Sequence, residues 1–239
     1  MSIINLTENQ FNKNNLYYIQ TTLTELFMNT RCSVAERDAS KRTMLTVACP
    51  DHYSEMVTAE IIDKVAEIIV IKYKYDFFKK TLGIGGLNQK EKELLFAGLI
   101  AADLPEDKKY VIDRLKNQEE IALDGVYNFR LKPLKAKWED IVSYMPTCFV
   151  SSQLRDFIGY LIENRKKRVY VDEGKVYDSH FRRLKRCSLL DGEELKIIRE
   201  ILLSNCGEVE ISGKIPEEDE IYVRELFGDK IYFSSGYCI

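Results

Sequence analysis

"DGEELKIIREILLSNCGEVEISG" (191–213) is followed almost at once by "PEEDEIYVRELFGDKIYFSSG" (216–236). Each stretch opens on acidic residues, continues with apolar residues at helical spacing, turns at a glycine (Gly207 or Gly228), and ends in a short strand and a Ser-Gly pair. Acids in a first turn suit the positive end of a helix dipole. Asp191 with Glu194 fits a capping box, and Pro216 with Glu217, Glu218 and Asp219 fits a helix start. These roles explain the carboxylates without catalysis. Two strand–helix units in tandem favour parallel neighbouring strands joined by right-handed crossovers. Val209 and Ile211 alternate with Glu208 and Glu210, so helices are expected to cover one sheet face only. Upstream, "KKRVYVDEGKVYD" (166–178) reads as a hairpin around an Asp-Glu-Gly turn. The hairpin brings the expected sheet to about four strands.

The rest of the chain is read from this sheet outward. "SSQLRDFIGYLIEN" (151–164) has helical periodicity, as do "NQKEKELLFAGLIAAD" (88–103) and "PEDKKYVIDRLKNQ" (105–118). Pro105 is expected at the first turn of its own helix, and Asn88 with Glu91 reads as a capping box. In "EEIALDGVYNFRLKPLKAKWEDIVSYM" (119–145) Asp124 opens a helical segment that Pro133 kinks or restarts, and Trp138 is a core residue. "GIGG" (83–86) follows a helix and lacks the spacing of a phosphate loop, so it reads as a linker. Before it, a strand "SIIN" (2–5), a helix in 14–30, strands in 32–36 and 42–50, and a long helix from 52 to 82 behind an Asp51 cap give a β-α-β-β-α order. The expected fold class is α/β in a mixed α+β sense. Its parts are a small α/β unit (1–82), a helical middle (88–164) and a C-terminal α/β unit (165–239).

Lys plus Arg is 35 against 38 Asp plus Glu, a net charge of −3, which excludes a globally basic nucleic-acid binder but not a local patch. No apolar run approaches the roughly 18–20 residues of a membrane span. The nearest, "EIIVIKYKYDFF" (67–78), is interrupted by Lys72 and Lys74. "MSIINLTENQ" lacks a basic start and an apolar core, so a cytoplasmic protein is expected. Six cysteines (32, 49, 148, 187, 206 and 238) form no C-x-x-C pair and read as small apolar side chains in a reducing compartment. Neither a metal nor a cofactor is expected.

Four groups of residues are candidates for chemistry. Ser212-Gly213 and Ser234-Ser235-Gly236 would lie side by side at the carboxyl ends of parallel strands, where open α/β sheets bind ligands. The stretch 165–186 carries nine Lys or Arg against three Asp or Glu, +6 locally. Its Arg165, Lys166, Lys167, Arg168, Arg182, Arg183, Lys185 and Arg186, interleaved with Tyr170, Tyr177 and Phe181, suit single-stranded nucleic acid. Cys49 and His52 make a C-x-x-H spacing that a strand end and a cap turn also explain. His180 beside the basic run reads as a surface residue. Arg130, between Phe129 and Leu131, is expected partly buried and held by carboxylates. No Ser-His-Asp or Cys-His arrangement can be assembled.

"IALDGVYNFRLKPLKAKWEDIV" (121–142) resembles the central signature of YtxC-like proteins, in which an acidic-Gly turn opens onto a Phe-Arg-Leu helix. Asp124, Gly125, Phe129, Arg130 and Leu131 stand in those places. The likeness covers most of the chain and is clearest from about residue 119 to the end. The family is associated with endospore-forming bacteria and labelled a sporulation family; the resemblance implies no enzymatic activity. Family tails look cysteine-rich around a Gly-Cys step, whereas this chain has Ser234, Ser235, Gly236, Tyr237 and a single Cys238. The leading expectation is a non-enzymatic, bacterial, cytoplasmic accessory or regulatory protein with a protein partner. The alternatives are a nucleic-acid-binding module at 165–186 and a small-ligand binder or enzyme at the Ser-Gly strand ends.

Overall fold

The computed structural model describes residues 1–116, 118, 120–163 and 165–234. They form a mixed α/β fold with two four-stranded sheets. Two compact units divide the chain: Met1–Lys74 with Pro105–Ile141, and Tyr75–Leu104 with Val142–Ile239. The helical middle is therefore split between the units instead of forming the separate block 88–164.

In the first unit β1 (Ser2–Asn9), β2 (Ser33–Ala39), β3 (Arg42–Cys49) and β4 (Glu120–Ala122) assemble in the order β2-β3-β1-β4. β1 runs antiparallel to β3 over its whole length, from Ser2↔Cys49 to Asn9↔Arg42, and parallel to β4. Period-two alternation puts Ile4, Leu6, Leu45 and Val47 on the buried face. α1 (Asn14–Thr22) packs on β1 and on α3 (Ser54–Ile68), and Leu23 separates it from α2 (Thr24–Asn29). The expected β-α-β-β-α order is present, but Asp51 caps no helix: it starts a 3-10 turn, Asp51–Tyr53, and α3 has no side-chain cap. α3 runs into a π turn, Ile69–Tyr73, and on into α4 (Lys74–Thr81). Ile68 to Ile71 are all buried, as an all-round apolar helical segment requires.

Glu8 alternates onto the same buried face and is fully enclosed. Its carboxyl accepts from Tyr73 Oη at 2.6 Å, Asn15 Nδ2 at 3.1 Å and its neighbour's backbone N–H at 2.8 Å. Burial outweighs these bonds and raises its pKa above the ordinary 4.5. A raised folded pKa means that the native state holds its proton to higher pH. The stability tied to that proton is complete below 4.5 and is lost as pH rises through the folded value. Glu8→Gln is therefore expected to flatten the decline of the urea midpoint between pH 4.5 and neutrality. Parallel wild-type and variant profiles would contradict this.

The second unit holds the order β6-β5-β7-β8, from β5 (Arg168–Asp172), β6 (Lys175–Tyr177), β7 (Glu208–Ser212) and β8 (Ile231–Ser234). β5–β7 and β7–β8 are parallel, and the β5–β6 hairpin turns through Glu173 and Gly174 at φ 44° and 73°. Both turn residues are left-handed, as a type I′ turn needs. The tandem units and the hairpin are thus as expected, with Val169, Val171, Val209 and Ile211 buried.

Two helix starts differ from expectation. α5 (Gln89–Leu115) is one helix with Pro105 inside it. Proline has no N–H to give the carbonyl four residues back. That carbonyl, on Ala101, accepts instead from Arg165 Nη2 at 3.1 Å, which offsets the loss. α5 does start with the expected capping box: Asn88 Oδ1 accepts from Glu91 N–H, and Glu91 Oε2 from Asn88 N–H, both at 2.9 Å. In contrast, α9 (Lys196–Leu203) begins after Leu195 at φ 52°, and Asp191 and Glu194 form no box. Asp191 pairs with Lys79 at 3.0 Å. The cap comes from α10 (Glu217–Phe227), whose buried Asp219 Oδ1 accepts from Ile198 N–H at 2.9 Å. Burial raises the Asp219 pKa despite that bond.

Candidate functional site

The face of the second sheet opposite the buried valines is built by alternation. It carries Arg168, Tyr170 and Asp172 on β5, Glu208, Glu210 and Ser212 on β7, and Tyr232 and Ser234 on β8, in direct register. Arg168 donates through Nε and Nη2 to Glu208 Oε2 at 2.9 and 2.7 Å, and through Nη1 to Glu210 at 3.2 Å. Its guanidinium lies 4.3 Å from the centre of the Tyr232 ring. The bonds that Arg168 donates to Glu208 hold its pKa above the ordinary value. Tyr170 stacks on Phe181, with centroids 4.7 Å apart and planes at 26°.

Asp178 positions Phe181. Its carboxylate accepts from the backbone N–H of His180 (2.8 Å) and of Arg182 (2.9 Å) and from Arg182 Nε (3.0 Å). Burial opposes ionisation, but these donors bring the Asp178 pKa below its ordinary value. The local turn sets Phe181 at φ 57° and lays its ring over the sheet. Phe181 and Tyr232 stay 43% and 41% exposed, Tyr232 against the arginine held by two carboxylates and Phe181 over Tyr170, two residues further along β5.

At least four of the eight basic residues of 165–186 are engaged within the protein. Arg165 gives Nη2 to the Ala101 carbonyl, and burial lowers its pKa. Arg186 gives Nη1 to the Leu203 carbonyl at 3.0 Å. Arg168 and Arg182 are paired with carboxylates on their own unit. Lys185 is half-buried, and Lys166, Lys167 and Arg183 are exposed. His180 is exposed, with Nδ1 3.4 Å from Ser179 Oγ.

The strand ends meet as expected: Asp172, Ser212 and Ser234 occupy matching positions on three neighbouring strands. Ser212 is only 1% exposed, and Gly213 turns away at φ 76° beside Asp172. A carboxylate at this edge opposes an anionic ligand. Ser235 and Gly236, like Tyr237 and Cys238, lie outside the described residues.

No family model, curated protein or solved structure matches this chain. The family-motif residues therefore stand on geometry alone. Asp124 accepts two bonds from Arg42, at 2.6 and 3.0 Å, and one from Gly125 N–H at 2.9 Å. The Arg42 guanidinium holds its carboxyl below the usual range. The motif then winds into a π turn, Val126–Arg130, after the short helix α6 (Leu123–Gly125). The wider turn carries Phe129, 77% exposed, and Arg130 outward, while Leu131 is fully buried. Arg130 is not the buried ion-paired arginine expected; Arg42 makes the pair. Tyr127 from this π turn packs against Tyr73 from the other, the ring centroids 4.5 Å apart and the planes tilted by 32°, a contact that no local pattern signals.

Among the described residues no three His, Cys, Asp or Glu side chains converge as they would around a metal ion. No described helix is long and apolar enough to cross a membrane. The second unit also has an open depression of about 400 Å³ against α8 (Ser151–Glu163), α10 and the start of α5. Ion pairs Lys90–Glu218 and Arg155–Glu225 lie on its rim.

Proposed function

We propose that the chain is a non-catalytic accessory protein of the YtxC-like sporulation type, acting in the cytoplasm by binding a protein partner through the outer face of its second sheet. The observation that carries this reading is the pair of exposed aromatic residues on that face, Tyr232 against the paired Arg168 and Phe181 over Tyr170. Aromatic residues and arginine are the side chains enriched at protein interfaces. A guanidinium already held by carboxylates gives up little rotamer freedom on binding. The charge of the face weighs against nucleic acid. Arg168 and Lys175 stand against Asp172, Glu208 and Glu210, so a phosphate would meet a net negative surface. The sporulation assignment rests on the likeness at Asp124, Gly125, Phe129, Arg130 and Leu131.

The test is genetic. In an endospore-forming host, deletion of the gene is expected to lower the yield of heat-resistant spores, and the intact gene to restore it. A Phe181→Ser/Tyr232→Ser double variant is expected to accumulate normally and fail to restore it. Loss of one aromatic anchor costs an interface about 2 kcal/mol, roughly thirtyfold in affinity. Full rescue by the double variant would reject the face. An unchanged spore yield on deletion would reject the sporulation role. Rescue lost only on reversing the charge of Lys166, Lys167 and Arg183 would favour the nucleic-acid reading.

A further inference from the structure

The C-x-x-H stretch at Cys49 and His52 carries a different relationship from the one its spacing suggests. The β2–β3 ladder ends at Ser33↔Ala48; Cys32 immediately precedes the one residue and Cys49 immediately follows the other, so the register continued by one position sets them opposite each other. Burial, followed by the proximity of Cys32, raises the pKa of the Cys49 thiol above its ordinary value. Cys32 is fixed in place. Its N–H donates to the Phe27 carbonyl at 2.9 Å, and its Sγ lies 3.0 Å from Thr30 Oγ1. Facing residues of an antiparallel ladder have Cα atoms about 4.5–5.5 Å apart, inside the roughly 4.4–6.8 Å that a disulfide spans.

Both cysteines are free thiols, Cys32 half-buried and Cys49 fully buried. Reagents therefore reach Cys32 first, while Cys49 waits behind it as a resolving partner. The other buried cysteines lack this arrangement. Burial raises the Cys49 thiol and likewise pushes Cys187 up to about 12 and Cys206 up to about 11, so among these the half-buried Cys32 is the thiol that meets an oxidant first. Cys148 is exposed.

We propose that Cys32 and Cys49 form a dithiol that a hydroperoxide converts reversibly into a disulfide. The Cys32 thiolate attacks one peroxide oxygen; an S–O bond forms, the O–O bond breaks, and the leaving hydroxide takes up a proton to become water. Cys49 sulfur then attacks the Cys32 sulfenic acid. The S–S bond forms, the S–O bond breaks, and the hydroxyl leaves as water with the Cys49 proton. Two thiols lose two electrons in all, and one hydrogen peroxide becomes two waters. The cross-link ties the start of the edge strand β2 to the end of β3 and closes the loop 32–49.

The experiment uses the fully reduced, full-length protein titrated with hydrogen peroxide. Samples are quenched by unfolding in a thiol-alkylating reagent and mapped by peptide mass without reduction. A Cys32–Cys49 linked peptide is expected, lost on adding dithiothreitol and absent from Cys32→Ser and Cys49→Ala. The oxidised wild type is expected to unfold at higher urea than the reduced form, whereas Cys32→Ser shows no such shift. Should Cys49→Ala not fold, Cys32→Ser at the half-buried position carries the comparison. Conversion of Cys32 to sulfinic acid while Cys49 remains alkylatable would overturn the proposal. So would oxidation confined to Cys148.

Discussion

Replacing Asp107 with leucine is expected to destabilise the first unit by about 3–5 kcal/mol, the usual cost of breaking a buried ion pair by removing one member. Asp107 is 1% exposed and binds Lys74 Nζ at 2.8 Å, Lys137 Nζ at 2.8 Å and Trp138 Nε1 at 3.0 Å. Lys74 is completely buried, and in the variant its ammonium loses that carboxylate. Lys137, 38% exposed at its side chain, can turn outward. Burial works to raise the Asp107 pKa, but the Lys74 charge and the three donors bring it below 3.8. The depressed pKa contributes stability above 3.8 that is lost as pH falls through the folded value, opposite in sign to Glu8. Urea unfolding at neutral pH checks the cost. Adding Lys74→Met to Asp107→Leu is expected to recover most of the loss, because an apolar pair often replaces a buried ion pair without penalty. A double variant no more stable than Asp107→Leu would show that the loss does not arise at the Lys74–Asp107 pair.

Gly207→Ala is expected to cost about 3 kcal/mol or more and to loosen the whole second sheet. A Cβ at this position would sit 2.0 Å from the Arg165 carbonyl oxygen and 2.7 Å from its carbon, both backbone atoms. No side-chain rotation relieves that overlap, so the start of β5 must move away from β7. The same glycine donates its N–H to the Lys167 carbonyl at 2.8 Å, and the Arg168↔Glu208 rung follows directly. The shift therefore reaches the Arg168–Glu208 contact as well as stability. Hydrogen exchange across Arg168–Asp172 and Glu208–Ser212 is the measurement; protection equal to wild type would contradict the close-packing argument. Gly228→Ala is the comparison: no atom lies within 4 Å of its added Cβ, and only the φ of 53° opposes it.

The sequence carries the second sheet well because its signals are local. Val209 and Ile211 against Glu208 and Glu210 specify a strand with one buried face, and Glu173-Gly174 specifies the hairpin turn. The capping box at Asn88 and Glu91 is local too. What the sequence hides depends on partners far along the chain. Pro105 reads as a helix start until Arg165 is found on the Ala101 carbonyl. Asp191 and Glu194 read as a cap until Asp219 is found in that role. β4 is three residues long and pairs with β1 across more than a hundred positions, so no window of sequence marks it. The functional face shows the same division. Alternation foretells that Arg168 and Tyr170 share a side, but not that Glu208 and Glu210 neutralise the arginine. Part of the charge counted at 165–186 is held in ion pairs, Arg168 with Glu208 and Glu210 and Arg182 with Asp178. Cys32 and Cys49 escaped notice because only the strand register brings them opposite one another.

The most direct test of the proposed binding face is site-specific photo-crosslinking in a sporulating host. A photoreactive phenylalanine replaces Phe181 or Tyr232, and Phe11, which is 97% exposed in the first unit, serves as the control position. The account predicts the same single protein adduct from both test positions, none from the control, and a spore defect when the gene for the adducted protein is deleted. Adducts to nucleic acid, or an identical pattern from Phe11, would contradict it.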